Sequence, residues 1–261
     1  MTKKIELSTK KERWLMLTTI FVLVLLLFTS VLLLDLEIAR FLSRFKDAGS
    51  ILSQFMTIDF SRLNVAVGEL FVSLCMAICG LVIGWLISFV LSFLGARNTT
   101  PHVIISMTIK GIVAIIRAVP ALVWILLVVA SLGFGNTSGV LGLVFPTVGY
   151  LTKSFISSIE EQDPAIIETM KATGAGWLQI ITEGLLPNLF NQFLAWTSIR
   201  LEGNLAESIS LGMVGAGGIG MLMMRAIGQY NYGEISMLII LIFLTIVSVE
   251  LGIGQIKKRL R

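Results

Sequence analysis

The sequence predicts an all-α integral membrane protein with six transmembrane helices. Of its 261 residues, 56% are hydrophobic and only 14% are charged, whereas a soluble domain carries about 25% charged residues. The apolar residues also occur in long runs, and a helix needs about 20 of them to cross a bilayer. Residues 14–34, WLMLTTIFVLVLLLFTSVLLL, meet this criterion without interruption.

The first run is predicted to be a retained span rather than a secretion signal. It exceeds the apolar core of a signal peptide, which is about 7–15 residues long, and Asp35 and Glu37 follow it instead of a small-residue cleavage site. Pro120 interrupts the third run, and the polar segment 35–64 predicts in part an interfacial helix. The six predicted spans are about 14–34, 67–95, 103–132, 138–158, 188–210 and 233–254.

The chain is divided into three parts on this basis. An N-terminal part, 1–65, contains a tail, the first span and an extracytoplasmic segment, and a core of 66–256 follows it. A basic tail, 257–261, ends the chain.

The basic residues predict the orientation, because Lys and Arg accumulate on the cytoplasmic side of membrane proteins. Twelve lie on the side of the termini and five on the other side, so both termini are expected in the cytoplasm of a cell-membrane protein. The first group is Lys3, Lys4, Lys10, Lys11, Arg13, Arg97, Lys153, Lys171, Lys257, Lys258, Arg259 and Arg261; the second is Arg40, Arg44, Lys46, Arg62 and Arg225.

The glycine-rich stretch 215–220 fits the dinucleotide-binding pattern G-x-G-x-x-G. That pattern needs a strand before it and a helix after it in a soluble βαβ unit, whereas here it follows a membrane span. Irregular backbone at membrane depth is tolerated only inside protein or beside a water-filled cavity. We therefore expect Gly215, Gly217, Gly218 and Gly220 to face the interior of the bundle rather than lipid.

Metal or covalent catalysis has little basis in the sequence. His102 is the single histidine, and Cys75 and Cys79 are interpreted as small buried apolar residues rather than metal ligands. The chain also lacks the G-x-x-x-x-G-K-[ST] motif of an ATPase. We expect no bound metal, no enzyme activity and no nucleic-acid partner.

Several ionisable residues fall within the predicted spans, where they are costly and suggest function. Arg200, Asn204 and Glu207 share one helical face, and Glu202 points roughly opposite. Arg117 lies just before Pro120 in the third span. These charges either pair with one another to hold helices together or serve a function inside the membrane, and the sequence leaves both possibilities open.

The polar segment 159–187 predicts a short helix at about 163–174. Asp163 can cap its N-terminus, Pro164 suits the first helical position, and Gly174 can end it. From these residues alone, the helix could be an ordinary amphipathic connector on the membrane surface.

The same segment resembles the "EAA" loop of ABC importer permeases, E-A-A, three residues, G, nine residues, then I-x-L-P. Glu168, Gly174, Leu186 and Pro187 match at the family spacing, whereas Thr169, Met170 and Gly184 depart from it. The resemblance implies that this helix couples to a separate ATPase, with Glu168, Ala172, Gly174, Leu186 and Pro187 as coupling residues. A contact between Glu168 and Lys171 could support that fit.

Further stretches resemble permeases of phosphonate-type importers. They are R-A-V-P-A-L-V-W at 117–124, G-Y-L-T-K-S-F at 149–155, A-T-G-A at 172–175, R-L-E-G-N at 200–204 and L-G-M-V-G-A-G-G-I-G at 211–220. The resemblance implies a type I ABC importer permease that transports phosphonate, phosphite or phosphate. A methionine or other small-solute importer, a secondary transporter without an ATPase, and a membrane-embedded enzyme are the alternatives.

The resemblance also implies the partners and the pathway residues. The partners are an ABC ATPase dimer that uses ATP and Mg²⁺, a second permease copy, an extracytoplasmic binding protein and membrane lipid, while this chain binds no cofactor. The candidate pathway residues are Arg117, Pro120, Arg200, Glu202, Asn204, Glu207, Gly215, Gly217, Gly218 and Gly220.

Overall fold

The computed structural model describes residues 9–34 and 37–259, and every regular element in these residues is helical. The chain divides into two units, Met1–Gln54 and Phe55–Arg261.

The first unit contains an apolar helix followed by an amphipathic one. Helix α1 (Lys10–Leu33) begins at a capping box, in which Thr9 Oγ1 accepts from the Glu12 amide and Glu12 Oε2 accepts from the Thr9 amide at 2.8 Å. This helix is long and apolar enough to cross a membrane. Helix α2 (Ile38–Phe55) follows in the segment where an interfacial helix was predicted.

The second unit is built around one central helix, α6, which packs against α3, α4, α5 and α9. Its helices are α3 (Leu63–Gly95), α4 (Val103–Ala118), α5 (Ala121–Leu132), α6 (Asn136–Glu160), α7 (Pro164–Ala172), α8 (Trp177–Gln179), α9 (Leu186–Met213), α10 (Ile219–Gly228) and α11 (Tyr232–Arg259). A π-helical turn (Ile180–Leu185) joins α8 to α9.

Small residues bring α3 and α6 together. Gly80 and Gly84 lie one turn apart on α3, and a Cβ at Gly80 would lie 2.8 Å from Leu143 Cβ. A Cβ at Gly84 would lie 2.7 Å from Thr147 Cβ. Such spacing of small residues lets helix backbones approach closely, which is how helices in lipid gain packing energy. Cys75 and Cys79, on the same helix, are exposed rather than buried as predicted.

The predicted set of six spans is not matched one for one. Within residues 9–34 and 37–259, four helices, α1, α3, α6 and α11, are long and apolar enough to cross a membrane, and the α4–α5 pair makes a fifth if it counts as one span. That pair corresponds to the predicted third span and is bent by 88°. Helix α9 has 28 residues but falls outside the apolar set, and it carries Arg200, Glu202 and Glu207.

The bend between α4 and α5 has a local cause. Pro120 has no amide hydrogen to donate to the Ile116 carbonyl, the acceptor that a continuous helix would use. The indole Nε1 of Trp124 donates to that carbonyl instead, at 3.0 Å. The Trp124 ring stacks on Phe145 of α6 with centroids 4.7 Å apart, which fixes α5 against the central helix. The freed backbone acceptor therefore has a partner inside the bundle.

Candidate functional site

Helix α7 has well-defined ends and occupies the predicted range. Asp163 Oδ1 accepts from the Ala165 amide at 2.9 Å, and Pro164 is the first helical residue. Gly174 has a φ of +80°, and its amide donates to Lys171 while the Ala175 amide donates to Met170. This pair of bonds is the Schellman motif, in which glycine takes the left-handed position at low cost.

The two sides of α7 differ in exposure. Ile167 is buried in a core cluster with residues of α3, α6 and α9, and Ile166 and Met170 pack against it. Glu168, Lys171 and Ala172 lie on the exposed side. The predicted pairing of Glu168 with Lys171 is not present among the ion pairs of residues 9–34 and 37–259. The exposed side of α7 is therefore free to meet another molecule.

Helix α7 contacts the π-helical turn through two residues that depart from the family pattern. Met170 stands where the pattern has alanine, and Gly184 where it has isoleucine. A Cβ at Gly184 would lie 3.2 Å from Met170 Cγ, so the larger Met170 side chain lies opposite the glycine. Leu186 packs against the core cluster that contains Ile167, and Pro187 lies exposed in the first turn of α9.

A network of charged and polar side chains links α9 to the central helix, α6. Arg200, whose side chain is only 9% exposed, donates to both carboxylate oxygens of Glu207, at 3.1 and 2.6 Å. Its Nε also donates to Thr147 Oγ1 at 3.2 Å. Asn204, fully buried, accepts from Thr147 at 3.0 Å and donates to the Ala77 carbonyl at 3.2 Å. The predicted stripe of Arg200, Asn204 and Glu207 is thus brought together by α9.

Thr147 is a member of this network that the sequence prediction missed. It belongs to α6 and lies 53 residues from Arg200 along the chain. Tyr150, also on α6, places its ring 6.0 Å from the guanidinium carbon of Arg200. Thr147 and Tyr150 are three residues apart, which indicates that they share one face of α6. Their partner, Arg200, is identified only by the packing of α6 against α9.

Two candidate charges stay outside the network. Glu202 is half-buried on α9, and among the described residues it has no hydrogen-bond or ionic partner. Arg117 is exposed at the end of α4, just before the bend, and no carboxylate in residues 9–34 and 37–259 pairs with it. Pro120 is exposed beside it. Arg200 is therefore neutralised by Glu207, whereas Arg117 keeps an uncompensated positive charge.

The glycine-rich stretch forms a buried turn between α9 and α10. Gly215, Gly217 and Gly218 have φ values of +93°, +91° and +71°, a backbone region that side chains with a Cβ rarely adopt. The turn is fixed to α3, because Ser73 Oγ accepts from the Ile219 amide at 3.0 Å. The prediction that this backbone leaves regular helix inside the bundle agrees with this arrangement.

The helices on either side of the turn also touch through glycine. A Cβ at Gly212 of α9 would lie 2.7 Å from the Cα of Gly220 in α10. A Cβ at Gly220 would overlap the Ile209 carbonyl oxygen. Backbone therefore packs on backbone at this crossing, with no space for a methyl group.

Comparison with known proteins places the chain among transport proteins. Residues 80–261 match the family described as the binding-protein-dependent transport system inner membrane component. The chain is 32% identical to the phosphite transport system permease protein PtxC of Stutzerimonas stutzeri over 226 residues, which cover 87% of this chain and 82% of that protein. It is 34% identical to the phosphate-import permease protein PhnE of Mycolicibacterium smegmatis over 167 residues, 64% of this chain but 31% of that protein.

A solved structure shares the fold. It is a chain of the MetNI methionine ABC transporter in an inward-facing crystal form, with a TM-score of 0.69 and 19% identity. The similarity covers 78% of this chain and 100% of that chain. It confirms the predicted all-α, type I importer architecture for that part of the chain.

Proposed function

This chain belongs to the binding-protein-dependent transport system inner membrane component family, and we propose that it forms the pore of an ATP-driven importer of phosphonate or a related phosphorus oxyanion. The observation that carries the substrate class is the 32% identity with a phosphite permease over 87% of this chain. Family membership favours this function over a secondary transporter that needs no ATPase.

The working complex contains several further components. Two ATPase subunits bind ATP and Mg²⁺, a second copy of this chain or a related permease completes the pore, and an extracytoplasmic binding protein delivers the substrate. The chain itself holds no cofactor. Both termini and α7 lie on the cytoplasmic side, which the twelve-to-five distribution of basic residues supports.

Arg117 is the residue best placed to attract an anionic substrate. It lies in the last turn of α4, about 21 Å along the helix axis from Val103, just before the bend. A planar guanidinium binds phosphate-type oxygens with two parallel hydrogen bonds. Arg200 is less suited to this role because its guanidinium already pairs with Glu207 and donates to Thr147. The network around Arg200 instead fixes α9 against α6.

Coupling to ATP hydrolysis takes place through the exposed side of α7. Its buried side is attached to the core cluster by Ile167 and to the π-helical turn by Met170. A movement of the ATPase subunits therefore reaches the bundle through a short, well-capped helix. Gly174 sets the direction in which the chain leaves this helix.

We expect Gly174→Asp to abolish substrate-stimulated ATP hydrolysis in the reconstituted complex. Aspartate at a φ of +80° is strained by about 1 kcal/mol, and its charge stands at the C-terminal end of α7, where a negative charge is unfavourable. Permease expression and dimer formation should persist, because nothing lies within 4 Å of a Cβ at Gly174. The measurement is the ATPase rate with and without the loaded binding protein.

Gly176→Asp is the matched control. It adds the same charge two residues later at a φ of −72°, where Gly176 caps α8 and aspartate is a favoured residue. This variant should keep substrate-stimulated ATP hydrolysis. If Gly174→Asp also keeps normal stimulation and ATPase binding, α7 is not the coupling helix.

A further inference from the structure

The segments before and after α7 are both fastened to one distant turn. This turn, residues 96–102, connects α3 to α4 and is called here the α3–α4 turn. Its attachments involve Glu160, which ends α6 just before α7, and Trp177, which begins α8 just after α7. Both attachments lie outside the surface of α7 that we assign to the ATPase.

Glu160 makes the attachment on the N-terminal side of α7. Its Oε1 accepts from the Arg97 amide at 2.8 Å and from Lys110 Nζ of α4 at 2.6 Å. Asn98 Nδ2 donates to the Ile159 carbonyl at 2.7 Å beside it. A carboxylate at a helix C-terminus is opposed by the helix dipole. Its position is therefore explained by these partners rather than by helix stability.

Trp177 makes the attachment on the C-terminal side. Its indole Nε1 donates to the Thr99 carbonyl at 2.7 Å, across 78 residues of sequence. Thr99 is itself buried, and its hydroxyl donates to the Phe93 carbonyl at 2.7 Å, which ties the turn to the end of α3. Trp177 is thus hydrogen-bonded to a residue that is itself attached to the end of α3.

The interior between these attachments is tightly packed. Ala96 of the turn, Ile159 of α6 and Ile167 of α7 belong to one buried cluster. A Cβ at Gly95 would lie 2.7 Å from Ile156 Cδ1 of α6 and 3.0 Å from Ile109 Cγ2 of α4. Close-packed contacts of this kind transmit displacement rather than absorb it.

We propose that α7 and the α3–α4 turn move as one body. The turn then transmits the movement of the ATPase subunits directly to α3 and α4. This inference rests on the proposed function. Glu160 and Trp177 are then positioning residues for coupling. Helix α4 moves with the turn, and its far end carries Arg117. The movement of the ATPase therefore reaches the candidate anion site without passing through α9.

The test is transport stoichiometry in a reconstituted complex with its ATPase and binding protein. Glu160→Gln keeps the side-chain shape and removes the charge, and Trp177→Phe keeps an aromatic ring and removes the indole donor. We expect the ATPase to remain bound and to hydrolyse ATP, while substrate transported per ATP falls about tenfold, the size of a typical coupling between sites. A wild-type ratio in this variant would overturn the proposal.

Trp196→Phe is the matched control, because it also removes an indole hydrogen bond. Trp196 Nε1 donates to Ser158 Oγ at 3.1 Å and does not reach the turn. This variant should keep the wild-type ratio, and an equal loss here would show general loosening and contradict the proposal.

A second measurement does not depend on these variants. Spin labels at Arg97→Cys and Thr169→Cys, with Cys75 and Cys79 replaced by serine, report the distance between the turn and α7. One narrow distance, unchanged between the nucleotide-free and ATP-bound complexes, is expected. A distance that shifts on ATP binding would overturn the proposal, whereas a wild-type chain that binds no ATPase would contradict the proposed function itself.

Discussion

Gly220→Ala is expected to destabilise the folded chain by about 3 kcal/mol and to abolish transport. The added methyl group would overlap the Ile209 carbonyl oxygen and approach the Gly212 Cα to 2.9 Å. Both neighbours are backbone atoms of α9, which cannot rotate away as a flexible side chain can. Helices α9 and α10 must therefore separate, and the buried turn 214–218 must shift with them. Thermal unfolding of the purified protein in detergent measures the loss.

Gly228→Ala provides the control within the same helix. Gly228 is the last residue of α10, and nothing lies within 4 Å of a Cβ at that position. This variant should be neutral or slightly stabilised, because alanine restricts the unfolded chain more than glycine does. Equal stability of both variants would show that the α9–α10 crossing is looser than the structure indicates.

Glu207→Gln is expected to destabilise the chain by about 2 kcal/mol, because the buried Arg200 loses the charged partner of its hydrogen bonds. Arg200 would keep its positive charge inside the bundle, with Thr147 and Tyr150 as its remaining neighbours. Removing both charges, with Arg200→Met added, should recover much of the loss. The midpoint of thermal unfolding is the measurement for both variants.

Glu202→Gln is the matched change on the same helix. Glu202 is a half-buried carboxylate without a partner among the described residues, so its neutralisation should not lower the unfolding midpoint. If Glu207→Gln and Glu202→Gln behave alike, the pairing with Arg200 does not stabilise the fold. If the double variant stays as unstable as Glu207→Gln, an unpaired charge is not the cause.

Local patterns predicted the parts of this protein that depend on neighbouring residues. The ends of α7 followed from the cap at Asp163 and from Gly174, because caps and left-handed turns act over one helical turn. The polar stripe on α9 followed from helical spacing. The glycine turn was predicted to lie inside the bundle because exposed irregular backbone is not tolerated in lipid.

Features that depend on packing between distant segments were not predictable in this way. Pro120 indicated an interruption, but the size of the bend, 88°, and the stacking of Trp124 on Phe145 of α6 could not be read from neighbouring residues. The two departures from the family pattern at Met170 and Gly184 looked independent in sequence. They are complementary in space, since the larger side chain fills the position opposite the glycine. Six apolar spans were expected, yet α9 falls outside the apolar set, and of its charges Arg200 and Glu207 pair with each other.

Uptake by proteoliposomes tests the central claim most directly. The chain is reconstituted with its partner ATPase and binding protein, and the vesicles are supplied with labelled phosphite, a phosphonate or methionine. We predict accumulation of a phosphorus oxyanion that needs ATP, Mg²⁺ and the binding protein, without accumulation of methionine. Uptake of methionine alone, or oxyanion uptake that persists without the ATPase, would contradict the account.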